Sequence, residues 1–92
     1  MRKNKKLLAT PPGETIKEQL EYQEMSVESF AEQMGLSSKD TENLLNGNME
    51  LDLPIAIQLE NILGPPVSFW LNLEKIYRDK LAKGARKFGE KD

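Results

Sequence analysis

Neither cysteine nor histidine occurs in the 92 residues. Their joint absence removes disulfides, thiolate nucleophiles, the usual zinc ligand sets and imidazole acid–base chemistry. Carboxylates remain, but a chain this short has little room for the deep pocket in which an enzyme tunes them. No enzymatic activity, metal or cofactor is therefore expected. Long apolar runs are missing as well, and nothing approaches the roughly 18 residues of a membrane span. The start, Met1-Arg2-Lys3-Asn4-Lys5-Lys6, is basic like the head of a secretion signal, but the apolar stretch behind it, Leu7-Leu8-Ala9, is far too short for a signal core. A single cytoplasmic domain is the expectation.

Positive charge is scarce in the middle of the chain. Residues 11–74 hold Lys17 and Lys39 as their only cations against twelve acids, a net −10, whereas residues 1–10 and 75–92 each carry +4. An acidic body thus lies between two basic ends. Such a distribution bears on partners more than on fold.

The helix signals are local and dense. Residues 1–10 read as a flexible basic arm. Pro11-Pro12-Gly13 ends the arm and starts a helix, since proline suits the first turn. Ile16, Leu20 and Met25 give that helix its apolar stripe. Ser26 is an N-cap for a second helix carrying Phe30, Ala31 and Met34, which Gly35 stops by taking the left-handed conformation. Ser37 caps a third helix that runs to Asn46-Gly47. After a loop over residues 48–51, Asp52 caps a fourth helix with Pro54 in its first turn and Ile55, Leu59, Ile62 and Leu63 on its inner face. Gly64-Pro65-Pro66 breaks it and opens a fifth helix over roughly residues 66–83. From Gly84 the chain reads as a basic, frayed tail, so the expected organisation is an arm (1–10), a helical domain (11–83) and a tail (84–92). The fold class is all-α, five helices with no strand.

The fifth helix is apolar around much of its circumference, with Val67, Phe69, Trp70, Leu71, Leu73, Ile76, Tyr77 and Leu81. A helix with one buried stripe does not need so many. One face is expected to pack on the first and fourth helices, and a second copy is the economical cover for the other. Trp70, Leu73, Ile76, Tyr77 and Leu81 are the interface candidates for a homodimer. The alternative is that Phe69 and Trp70 fill a small core.

The stretch from Val27 to Leu44 meets the requirements of a helix-turn-helix position by position. A small residue is needed where the two helices touch, and Ala31 is there. A residue tolerant of positive φ is needed four positions later, and Gly35 is there. Phe30, Met34, Leu36, Leu44 and Leu45 are spaced to fill the inner corner. Thr41 departs from the pattern, standing where an isoleucine or valine usually plugs the second helix. Its hydroxyl is expected to bond back to the carbonyl one turn earlier.

Three further runs carry a resemblance. Pro11-Pro12-Gly13-Glu14-Thr15-Ile16-Lys17-Glu18, Leu44-Leu45-Asn46-Gly47 and Ser68-Phe69-Trp70-Leu71-Asn72-Leu73 resemble the HigA-type antitoxins, small lambda-repressor-like proteins encoded beside a toxin. The resemblance covers about residues 11–81. It implies a homodimer that binds its own operator DNA and pairs with a basic, mRNA-cleaving toxin. Carried onto this sequence, the DNA-facing positions are Ser37, Ser38, Lys39, Asp40, Asn43 and Asn46.

Those positions sit in an unfavourable field. Asp40 only accepts hydrogen bonds and repels phosphate, the family often has an arginine where Asn43 stands, and residues 48–52 (Asn-Met-Glu-Leu-Asp) offer no cation where repressors often place one. The compensating cations are Lys39, the arm (Arg2, Lys3, Lys5, Lys6) and the tail (Lys75, Arg78, Lys80, Lys83, Arg86, Lys87). The alternative is that the two ends are ordinary solvated segments. Acids at Glu14, Glu18, Glu21, Glu24, Glu28 and Glu32 suit a basic partner protein, or simply keep the surface soluble. Two other functions stay open beside the autoregulating antitoxin: a toxin-binding module with little specific DNA binding, and a plain repressor-like regulator with no toxin.

Overall fold

The computed structural model describes residues 8–87. The described chain runs β1 (Leu8–Ala9), α1 (Pro12–Tyr22), α2 (Val27–Met34), α3 (Ser38–Leu45), α4 (Leu53–Leu63), α5 (Val67–Ala82) and β2 (Arg86–Lys87). Each start has a local cause. Ser26, Ser37 and Asp52 accept a hydrogen bond from the backbone N–H three residues on, at 3.0, 3.0 and 3.1 Å, which satisfies a donor the helix itself leaves orphaned. α1 has no such side-chain cap. Its first turn is built on Pro11 and Pro12, whose fixed φ is already helical.

Four of the five stops share one geometry, and α4 instead ends on Gly64 (φ 112°, ψ −48°), whose N–H meets the Glu60 carbonyl. After α2, Gly35 (φ 72°) donates to the Glu32 carbonyl and Leu36 to the Ala31 carbonyl, a left-handed cap that consumes two free carbonyls. Gly47 (φ 78°) ends α3 in the same way, with the Asn48 N–H closing on the Asn43 carbonyl at 2.8 Å. α1 ends thus too, but on Glu24 (φ 56°), a residue whose Cβ makes that conformation costly. Side chains from other elements finish two of these ends. Gln58 of α4 donates to the Met34 carbonyl and Gln23 to the Leu63 carbonyl, both at 2.9 Å.

One apolar core unites the helices: Ile16 and Leu20 from α1, Phe30 and Met34 from α2, Leu44 and Leu45 from α3, Leu51 from the loop, Ile55, Ala56, Leu59 and Leu63 from α4, and Trp70 from α5. Full burial of side chains this size stabilises by about 1.5–3 kcal/mol each before entropy is charged.

Three expectations are corrected by the structure. Residues 8–9 and 86–87 do not belong to a flexible arm and a frayed tail, and the domain is not free of strands. They pair as a two-stranded parallel sheet, Leu8 opposite Arg86 and Ala9 opposite Lys87. The cause is burial and a turn. Ala9 is wholly buried, β1 packs against α5, and Gly84 (φ 90°) closes α5 with the Ala85 N–H on the Lys80 carbonyl, turning the chain back toward β1. Residues 1–7 of the arm and 88–92 of the tail lie outside the described residues. Trp70 and Tyr77 are likewise not interface residues. They are 0% and 1% exposed inside a single chain and have no surface left for a second copy. The Trp70 indole N–H is satisfied by the Pro65 carbonyl at 3.0 Å, and Phe69 meets the indole edge-on, so the small-core alternative holds for Trp70.

Candidate nucleic-acid interface

α2 and α3 meet across the turn formed by Gly35, Leu36 and Ser37. Gly35 has nothing within 4 Å of where a Cβ would stand, so its requirement is conformational, not steric. Inside the corner, Phe30, Met34, Thr41, Leu44 and Leu45 are buried and Leu36 packs partly against them. Thr41 fills its place as the sequence suggested: it is 1% exposed and its hydroxyl donates to the Ser37 carbonyl at 2.8 Å. The polar atom is thereby hidden and the methyl serves as a core group.

With Thr41, Leu44 and Leu45 turned inward, the 3.6-residue period leaves Lys39, Asn43 and Asn46 centred on the opposite face of α3. Lys39 and Asn46 are exposed and Asn43 is half-buried. Ser38 and Asp40, both exposed, flank that stripe. Ser37 stands at the helix start, and its Oγ is already engaged by the Asp40 N–H, so its first role is to cap. Glu42 adds an acid to this face. It is exposed, and by helical rotation it belongs to the outward face beside Asn46. Its spacing from Lys39 and Asn46 is the signal of that placement.

The loop after α3 is less hostile to a polyanion than its composition suggests. Leu51 is buried in the core, Met49 packs partly against it, and the Asp52 carboxylate is spent on capping α4. Glu50 is its remaining exposed acid with no such role. Arg78 of α5 reaches over this loop, donating to the Met49 carbonyl at 3.2 Å while pairing with Glu74 at 2.7 Å.

The C-terminal end of α3 is clamped from three sides. A Cβ on Gly13 would fall 1.9 Å from the Leu45 carbonyl oxygen, so the start of α1 touches the backbone of α3 directly. A Cβ on Gly47 would strike Pro11 and the Tyr77 hydroxyl, both at 2.6 Å, and that hydroxyl donates to the Gly47 carbonyl. From β2, the Lys87 ammonium donates to the side-chain oxygen of Asn48.

A short helix, a left-handed glycine and a second helix with a polar exposed face, clamped at its far end, define a helix-turn-helix module of the DNA-binding type. The chain is 32% identical over 66 residues to the uncharacterised HTH-type transcriptional regulator YddM of Escherichia coli K12, covering 72% of this chain and 70% of that one, and 40% identical over 63 residues to antitoxin HigA-1 of Vibrio cholerae, covering 67% of this chain and 59% of that protein. In fold it matches an addiction-module antidote protein of the HigA family from Coxiella burnetii with a TM-score of 0.74, at 28% identity over 83% of this chain and 84% of that one. The chain belongs to the HigA-type family of helix-turn-helix antitoxins and regulators. No family model matches it.

Proposed function

We propose that this protein is an antitoxin that also represses its own operon, reading operator DNA with α3. The observation that supports this best is the division of α3: Thr41, Leu44 and Leu45 hold it in the core while Ser38, Lys39, Asn43 and Asn46 stand on or beside its outward face. Lysine donates to guanine edges or phosphates, and asparagine pairs with adenine in the major groove. Asp40 is restricted to accepting from a cytosine amine. The deciding experiment is an anisotropy titration of the full chain against its own upstream region and a random duplex at low salt. A clear preference for the upstream region is expected. Equal affinity for both ends the operator reading and leaves a protein-binding module. Asp40→Asn combined with Glu50→Lys should raise affinity for both duplexes, since it removes two repulsions and adds a cation.

The toxin reading rests on charge. Glu18, Glu21, Glu24, Glu28 and Glu32 are all exposed along α1, its exit turn and α2, and Tyr22 (85% exposed) and Val27 (45%) lie in the same stretch. A toxin that cleaves mRNA presents a basic face to its polyanionic substrate, and an acidic surface steers onto such a face. Glu18→Lys with Glu21→Lys should slow association with the toxin about tenfold or more at low salt. An unchanged rate moves the toxin site elsewhere. For the homodimer, the surface on offer is Leu53 and Ile57 of α4 with Phe69 and Ile76 of α5, each 39–53% exposed, together with the half-buried Leu73 and Leu81. Sedimentation at micromolar concentration should give about twice the chain mass, and a monomer rules this surface out.

A further inference from the structure

β2 consists of two cations, Arg86 and Lys87, although it closes the described part of a chain whose body is strongly acidic. Its placement is fixed on both sides. β1 pairs with it through Leu8–Arg86 and Ala9–Lys87, and Ala9 is wholly buried. The Lys87 ammonium donates to Asn48, the residue whose N–H closes the cap of α3. The positive charge is thus held at the C-terminal end of the candidate reading helix. The chemistry of the partner matters. A neutral amide fixes the ammonium without cancelling its charge, whereas Arg78 and Lys83 are each paired with a carboxylate, Glu74 and Asp79. The loop from Asn48 to Asp52 has no cation of its own.

We propose that Lys87 forms a phosphate-backbone site for the duplex that α3 reads. The fold brings to the end of α3, from the far end of the chain, the positive charge that the α3–α4 loop lacks. The ligand is the phosphodiester backbone of duplex DNA. The contact is ionic, so it contributes affinity and register but no sequence information. This site deepens the operator reading and rests on it.

Lys87→Gln tests the proposal in the full chain, because glutamine retains a donor for Asn48 and removes the charge. Binding is followed by anisotropy from low to high salt on the upstream duplex, a random duplex and a single-stranded RNA of equal length. Affinity for both duplexes should fall by the same factor, and the slope of log affinity against log salt should shrink by about 0.9 per bound chain, equivalent to a three- to fourfold smaller loss over a fourfold rise in salt. Lys87→Arg should restore the slope. A wild-type slope in Lys87→Gln overturns the proposal, as does a loss confined to the upstream duplex or a wild-type preference for the RNA strand. The random duplex separates the two readings: if the wild type prefers neither duplex while Lys87→Gln flattens the slope on both, base reading by α3 fails and the backbone site stands. If the wild type binds no duplex at low salt, both fall.

Discussion

The two ends of α3 are held in opposite ways. Its N-terminal end is fastened by residues adjacent in sequence: Ser37 caps it, Gly35 bends into it, and Ser38, Lys39 and Asp40 are exposed. Its C-terminal end is gripped by residues distant in sequence, with Gly13 and Pro11 pressed against it, Tyr77 and Arg78 reaching across from α5, and Lys87 arriving from β2. The contrast separates two tasks in one two-turn helix. A side chain that meets a partner needs an unobstructed surface, while the angle at which it is presented needs anchorage elsewhere, and α3 places these at opposite poles.

Substitutions at the two poles should therefore divide between stability and recognition. The largest loss is expected from Gly13→Ala. The added methyl would overlap the Leu45 backbone, which has no rotamer by which to yield, so about 3 kcal/mol of stability should go, lowering the melting temperature by more than about 10 °C. A wild-type melt would mean that the clamp is loose. Arg78→Gln comes next. It leaves the Glu74 carboxylate, whose side chain is 10% exposed, without its ion partner and releases the Met49 carbonyl. About 2 kcal/mol is expected, below the figure for a fully buried pair because Arg78 itself is 40% exposed. Ser37→Ala at the open pole removes one cap and should cost about 1 kcal/mol in chemical denaturation. The smallest effect belongs to Lys39→Ala, which should change stability by no more than about 0.5 kcal/mol while costing roughly 1–3 kcal/mol of preference for the upstream duplex. If Lys39→Ala destabilised the fold as much as Arg78→Gln, the two poles would not be distinct.

The same contrast explains what could be read from the residues in order. Everything at the open pole is local: a serine three residues before the N–H it caps, a glycine where φ must be positive, a threonine four residues from the carbonyl it bonds. The caps, the turn and the helix-turn-helix were accordingly legible. The clamped pole is built from contacts across the chain. Helical periodicity displays the apolar surplus of α5 but not which of its faces the chain itself covers, which is why Trp70 and Tyr77 read as interface residues although both are buried within the chain. Two strands of two residues have no period to detect, so β1 and β2 leave no sign in the sequence. Glu24 shows a third kind of failure. It takes the left-handed position that glycine takes at the end of α2, and with no glycine there the last turn of α1 left no mark in the sequence.

The parallel pairing of β1 with β2 makes the described chain almost a ring. The two strands run in the same direction, so joining residue 87 back to residue 8 needs a crossover of about a dozen residues and not a tight turn. A circularly permuted gene that joins them through a glycine-rich linker of that length and opens new ends in the exposed turn at Gly64 should yield the same five helices in a new order. It would also turn the pairing of the two strands, the most distant in sequence among the described residues, into one closed by the linker alone.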